Sequence, residues 1–384
     1  SISLKLLGSY PKAHLMSNFL KDRVNKGVLG LKPYEPGKPI EETEKEIGLE
    51  NVIKLASNEN PIGMSPKALK VISSMDDLNR YPDGNASAFK NKVASVFNVK
   101  SSMVTVGNGS NDIIEFIAKC FLSNGDTAIY SKHGFAIYPL AIKASGAEPI
   151  KVNALDWGHD LNAMISSIQD TTKVIFIASP NNPTGTILSV EKIKDFLTKI
   201  PSNIVVLIDQ AYFEYIEDES YKVPFSLIEE FPNLIISRSF SKAHGLAAFR
   251  LGFSVSSEEI ADYLNRVRQP FNANSLALAA GIEAIDDEEH ISASVEINRE
   301  GLQNIKTKFR ELGFDFIESF GNFISFDSKS DSDKSFDFFL KKGIILRSLK
   351  VYEMPNHLRV SIGTKEEMQQ FIITLEEYAR SIKE

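Results

Sequence analysis

Ile204-Val205-Val206-Leu207-Ile208-Asp209-Gln210-Ala211-Tyr212 is an unbroken apolar run that ends on a carboxylate. A strand buried on both faces reads as such a run, and strands of that kind belong to parallel sheets covered by helices. Residues 103–106, 127–130, 173–177, 234–237 and 252–255 read the same way, with helical patterns between several of them. This alternation predicts an α/β layered unit with right-handed crossovers.

After residue 275 the pattern changes. A long helical stretch over 276–311 gives way to short strands at 314–317, 322–326, 344–347 and 357–362, a helix near 334–342 and a last helix from 365. The expected organisation is therefore an N-terminal helix and arm over 1–50, a large domain over 51–275 and a smaller α+β domain over 276–384. The large domain would hold a mostly parallel central sheet flanked by helices. Within the first part, 11–26 reads as a helix. Lys32-Pro33-Tyr34-Glu35-Pro36-Gly37-Lys38-Pro39 reads as an extended arm, because proline keeps itself and its predecessor out of helix.

Composition narrows the function. The 384 residues are 43% hydrophobic and 24% charged, enough for a core and ordinary for a soluble protein. The net charge of -7 argues against broad nucleic-acid binding, which needs a basic footprint. A local positive pocket for a small anion is compatible with it. One cysteine, Cys120, cannot form an internal disulfide, so a reducing compartment, the cytoplasm, is expected. The six histidines are scattered and form no metal-ligand pattern with Cys120. No secretory leader and no membrane-spanning stretch is read, so no membrane partner is expected.

In an open α/β sheet, ligands bind beyond the carboxyl ends of the strands, and four unusual polar groups fall there. Gly107-Asn108-Gly109-Ser110-Asn111-Asp112 lies between a strand and a helix, where unpaired N–H groups can cradle a phosphate. A plain tight turn has the same composition. Ser179-Pro180-Asn181-Asn182-Pro183-Thr184-Gly185 is a turn stiffened by two prolines that presents amide side chains. Asp209 ends its strand either as a helix N-cap or as a carboxylate needing a partner, with Tyr212 just beyond. Ser237-Arg238-Ser239-Phe240-Ser241-Lys242-Ala243-His244-Gly245 places a lysine after an apolar strand and a serine-rich turn, with Arg250 following. A lone lysine is ordinarily a solvated one. A desolvated lysine has a lowered pKa and becomes an amine nucleophile for an aldehyde. Hydroxyls and a guanidinium beside it suit a dianionic phosphate.

These motifs, in this order, resemble the fold-type I aminotransferases, and the resemblance spans essentially the whole chain. It implies pyridoxal 5′-phosphate (PLP) as cofactor. Lys242 would anchor it covalently and later carry a proton, and Asp209 would pair with the ring nitrogen. Asn182 and Tyr212 would hydrogen-bond the ring oxygen. Phe135 would stack on the ring, although a core phenylalanine reads the same way. Ser110, Asn111, Ser239, Ser241 and Arg250 would hold the phosphate. Tyr81, in Arg80-Tyr81-Pro82-Asp83-Gly84, would reach the phosphate from a neighbouring subunit, which implies a homodimer with shared sites.

Within that group the chain resembles the histidinol-phosphate aminotransferases. The resemblance rests on Lys54-Leu55-Ala56-Ser57-Asn58-Glu59-Asn60-Pro61, on the arm through Tyr34, and on Gly343-Ile344-Ile345-Leu346-Arg347 ahead of Arg359. It implies that Tyr34, Asn60, Arg347 and Arg359 meet substrate, an amino donor or a 2-oxo acid. For Arg347 a strand-end salt bridge is the competing reading. The implied reaction joins histidinol phosphate and 2-oxoglutarate to give imidazole-acetol phosphate and glutamate. An aromatic amino-acid aminotransferase acting on phenylalanine or tyrosine is the alternative, and a decarboxylase of the same fold is a further one. His244 stands where relatives often carry an aromatic or a small residue.

Overall fold

The structure is a computed structural model that describes residues 23–32, 40, 44, 48 and 51–382. Most of the helix expected over 11–26, and the arm with Tyr34, lie outside the described residues.

Seven strands form the central sheet: β2 (Val104–Gly107), β3 (Thr127–Ser131), β4 (Glu148–Val152), β5 (Thr172–Ala178), β6 (Val205–Asp209), β7 (Leu234–Ser239) and β8 (Gly252–Val255). Their order is β2-β8-β7-β6-β5-β3-β4. The pairs β3–β4, β3–β5, β5–β6 and β6–β7 are parallel. The unbroken apolar run now has a cause. Along β6, Val206 and Ile208 enter the core on one face of the sheet while Val205 and Leu207 enter the core on the other. Both faces are covered, so every position is apolar.

Two features differ from the sequence reading. β8 runs antiparallel to both neighbours. The connection from Ser239 to Gly252 holds only a short 3-10 turn at Ala247–Phe249 and no crossover helix, so the chain folds straight back. β4 was not anticipated. It is one of the two edge strands, and Pro149 and Lys151 are what an edge tolerates.

A second sheet, antiparallel, has the order β12-β13-β10-β9, with β9 at Phe316–Ile317, β10 at Phe323–Asp327, β12 at Arg347–Ser348 and β13 at His357–Ser361. Helices Glu288–Leu312, Ser332–Lys341 and Lys365–Ser381 cover it around Phe309, Phe326, Phe339 and Phe371. The helix expected over 276–311 is two helices, broken at Ile285-Asp286-Asp287. The first, Ser275–Ala284, puts Ala277, Ala280 and Ala284 into the core of the large sheet. Asp287 is buried at the break, accepting from Ser65 and pairing with Lys67 at 3.1 Å.

β1 (Ile53–Lys54) pairs in parallel with β11 (Ile344–Ile345), and Leu55 enters the core of the smaller sheet. Residues 53–55, expected in the large domain over 51–275, therefore pack with the C-terminal layer. Among the described residues no helix is long and apolar enough to cross a membrane.

Candidate active site

The carboxyl ends of β5, β6 and β7 open into a cavity closed on the far side by β12, β13 and residues 56–59. Asp209, the last residue of β6, is buried on its floor. Its Oδ2 accepts from the Tyr138 hydroxyl at 2.9 Å and its Oδ1 from Ser237 Oγ at 3.2 Å. Burial nevertheless holds its pKa above the usual carboxylate range, because these donors are neutral. Such a group calls for a cationic or N–H partner in the cavity.

Lys242 faces the same space. Its Nζ donates to the Ser57 carbonyl at 3.3 Å and lies 5.6 Å from the centre of the Tyr212 ring. Burial, reinforced by the charges of Arg359 and Arg250, lowers its pKa from 10.5 to about 8. A larger share of free amine is present at neutral pH than an exposed lysine would show. Tyr212 is buried, its hydroxyl accepts from Asn58 Nδ2 at 2.9 Å, and burial pushes its pKa to about 12, so it stays a phenol.

The anion cup forms where β2, β8 and the helix Ser110–Phe121 meet. No side chain caps that helix, whose N-cap is Gly109 at φ +80°. A Cβ on Gly109 would stand 2.4 Å from Arg250 Nη2, and one on Gly252 would stand 2.4 Å from the Ser110 amide. Both glycines are needed for strand, helix start and guanidinium to come together. Arg250 Nη1 donates to Ser241 Oγ at 3.3 Å, and the Ser241 amide donates to Ser239 Oγ at 3.1 Å. Open N–H groups, hydroxyls and a guanidinium make a phosphate site. Ser110 and Asn111 line the cavity beside them.

Arg359 on β13 donates to the Ala56 carbonyl at 2.6 Å and, through Nη1, to Asn182 Oδ1. That bond turns the Asn182 amide so that Nδ2 remains as its donor. Arg347 stands directly across from Arg359 in the β12–β13 register, and both line the cavity, as does Phe135.

Asn60 corrects the sequence reading. Its Nδ2 donates to the Ala243 carbonyl at 2.9 Å and to Ser294 Oγ at 2.8 Å, bracing the lysine loop from behind. Asn58 is the asparagine that lines the cavity. Tyr81 is not on the wall; it is 82% exposed and stacks on Phe271 at 4.6 Å. Tyr138, Ser237, Glu59 and Tyr352 went unread. Tyr138 had a signal, since it follows Phe135 by three residues at the start of a helix and shares its face.

The profile of the family described as aminotransferase class I and II matches residues 50–375. The chain belongs to that family. This aminotransferase is 47% identical over 350 residues to "Histidinol-phosphate aminotransferase 1" of Idiomarina loihiensis, covering 91% of this chain and 95% of that one. It is 48% identical over 352 residues to "Histidinol-phosphate aminotransferase 2" of Pseudomonas fluorescens, at 91% and 95% coverage. Its fold matches the crystal structure of histidinol-phosphate aminotransferase from Sinorhizobium meliloti in complex with pyridoxal-5′-phosphate. The TM-score is 0.86 at 23% identity, over 96% of this chain and 100% of that one. The fold is that of the fold-type I aminotransferases.

The cavity of this aminotransferase fits PLP. It offers a reactive amine, an uncapped helix start with hydroxyls and a guanidinium for the phosphate, and a buried carboxylate whose only hydrogen-bond donors among the described residues are neutral. One expectation follows from Lys242. Capture of PLP by the apoenzyme should accelerate as pH rises and level off above about 8, since only the unprotonated amine attacks. Stopped-flow absorbance at a series of pH values measures this; a rate still climbing toward pH 10 would contradict it.

Proposed function

We propose that this PLP-dependent aminotransferase exchanges the amino group of histidinol phosphate with 2-oxoglutarate, a step of histidine biosynthesis. The observation that carries the reading is the Arg347–Arg359 pair. Residues directly opposite in an antiparallel pair share a face, so two guanidiniums line one wall of the cavity, a setting that suits a phosphate. Histidinol phosphate brings a phosphate and no α-carboxylate, so Arg359 and Arg347 hold that phosphate. In the other half-reaction Arg359 takes the carboxylate of glutamate. The names of the curated relatives support the same substrate.

Bound PLP supplies an aldehyde for the amine and a ring that accepts electron density from the substrate Cα. The protein does the rest. Arg250, Ser239, Ser241 and the amides of Ser110 and Asn111 hold the cofactor phosphate. Asp209 would accept a hydrogen bond from the protonated ring nitrogen, with Tyr138 and Ser237 keeping the carboxylate aimed. Asn182 Nδ2 and the Tyr212 hydroxyl would donate to the ring oxygen, and Phe135, on the cavity wall, would cover the ring. Lys242 Nζ would anchor the cofactor and, as a free amine, would be the group that holds the proton leaving the substrate Cα. Tyr34 of the arm meets the substrate.

Tyr81 completes the phosphate cup of a second copy, so the working unit is a homodimer in the cytoplasm. Its exposure and its stacking on Phe271 support a role away from its own cavity. The test is a half-reaction: the holoenzyme's cofactor band should convert to the pyridoxamine form with histidinol phosphate far faster than with phenylalanine. Equal or faster conversion by phenylalanine would replace this reading with the aromatic one.

A further inference from the structure

His244 lies two residues after Lys242, and Glu214 lies two residues after Tyr212. The two meet in the interior: His244 Nε2 is 3.2 Å from Glu214 Oε1, with side chains 6% and 11% exposed. The other ring nitrogen, Nδ1, is 3.1 Å from the Ala284 carbonyl, at the end of helix Ser275–Ala284. The hydrogen-bond inventory is fixed by these neighbours. A carbonyl only accepts, so Nδ1 carries a hydrogen. A neutral ring then has a bare Nε2, which cannot bond an ionised carboxylate. The contact therefore holds one additional proton, placed between Nε2 and Oε1.

The rest of the surroundings makes this contact a link between elements. Phe240 packs against the His244 ring at 4.7 Å. The Arg238 guanidinium, clamped 3.2 Å over the Phe213 ring, is the cation on the Glu214 side, and His290 is the titratable neighbour on the His244 side, with Asp287 behind it. Glu214 Oε2 is buried without a hydrogen-bond partner among the described residues, so Oε1 is where this carboxyl is held. Between the two ends, Ala243, Tyr212 and Tyr215 share one small apolar cluster with Phe323.

We propose that His244 and Glu214 form a positioning pair that locks the Lys242 loop to the Tyr212 turn, setting the lysine amine against the phenol. The inference rests on Lys242 being the cofactor-bearing lysine. It assigns no contact with substrate to either member of the pair. Reach across a hydrogen bond is all the function requires, so a neutral amide in place of Glu214 should serve: its Nε2 can donate to the bare imidazole nitrogen.

The test compares Glu214→Gln with Glu214→Ala in the PLP-bound enzyme, reading the pH titration of the cofactor absorbance band without substrate, then kcat and KM. Glu214→Gln is expected to titrate as the parent does. Glu214→Ala is expected to shift the midpoint and to lower kcat about tenfold at unchanged KM, the penalty of a small misplacement of reacting groups. His244→Asn, which leaves Ala284 a donor and cuts the tie, should behave as Glu214→Ala and replaces it if that variant does not fold. Parent-like titration and kcat in the tie-cutting variants would overturn the proposal, and so would a Gln variant as impaired as the Ala one. A parent enzyme that forms no cofactor band would instead overturn the reading of Lys242.

Discussion

Lys242→Ala is expected to bind PLP without the lysine-linked absorbance band and to lose transamination by about 10⁴-fold or more, since one side chain supplies both the nucleophile and the proton carrier. General acid–base transfer alone accounts for about 10²–10⁴-fold in enzymes of this kind of chemistry. Here the same Nζ holds the cofactor in place beforehand, so both contributions disappear together. The apoenzyme should be no less stable than the parent. The substitution removes an amine whose charge burial, Arg359 and Arg250 all disfavour, and with it a single 3.3 Å bond to the Ser57 carbonyl. Stopped-flow half-reactions and a spectrum measure this; residual activity within tenfold of the parent would mean that another residue moves the proton.

Asp209→Asn should part stability from activity. Loss of the fixed negative charge facing the ring nitrogen is expected to lower kcat by about 10²–10³-fold, the scale of one preorganised electrostatic contact. The apoenzyme should become more stable. Burial raises the folded-state pKa of Asp209 above its unfolded value of 3.8. The stability it contributes is complete below 3.8 and is lost as pH rises through the folded value, because only the unfolded chain then ionises freely. Asparagine keeps acceptor and donor for Tyr138 and Ser237 without a charge. Thermal melts of the two apoenzymes should therefore differ more at pH 8 than at pH 5, with the variant the higher. A variant that melts below the parent at pH 8 would contradict this account.

Most of the site was legible because its residues are anomalies against their surroundings. Asp209 closes a run of five apolar residues, and Lys242 follows a strand whose every residue is buried. A charge in such a place has to answer to something, and the order of the anomalies along the chain was enough for the resemblance. The errors have the opposite character. Ser57-Asn58-Glu59-Asn60 has no periodicity, so nothing in it says which asparagine faces the cavity; the choice is made by Ser361, whose Oγ accepts from the Asn58 amide at 2.8 Å. The break between the two C-terminal helices carries no glycine or proline. It is set by a tertiary contact, the burial of Asp287 against Ser65 and Lys67. β4 was overlooked because Glu148, Pro149 and Lys151 leave it no apolar run. Tyr138 went unread because it serves core and site at once: its ring is fully buried while its hydroxyl reaches Asp209.

The short strand β1 has a consequence for how the enzyme comes into being. Residues 53–58 precede the whole large sheet in the chain, yet Ala56 and Asn58 find Arg359 and Ser361 only across 303 residues of chain. Contacts of such long range are the slowest to form, since loop closure precedes any gain from the contact. Nascent chains can complete the seven-stranded sheet, with Lys242 in it, while one wall of the cavity is still untranslated. The pocket is thus complete only once residues 347–361 have been made, and a deletion of that stretch that spares every residue of the phosphate cup should still yield chains with an unfinished pocket.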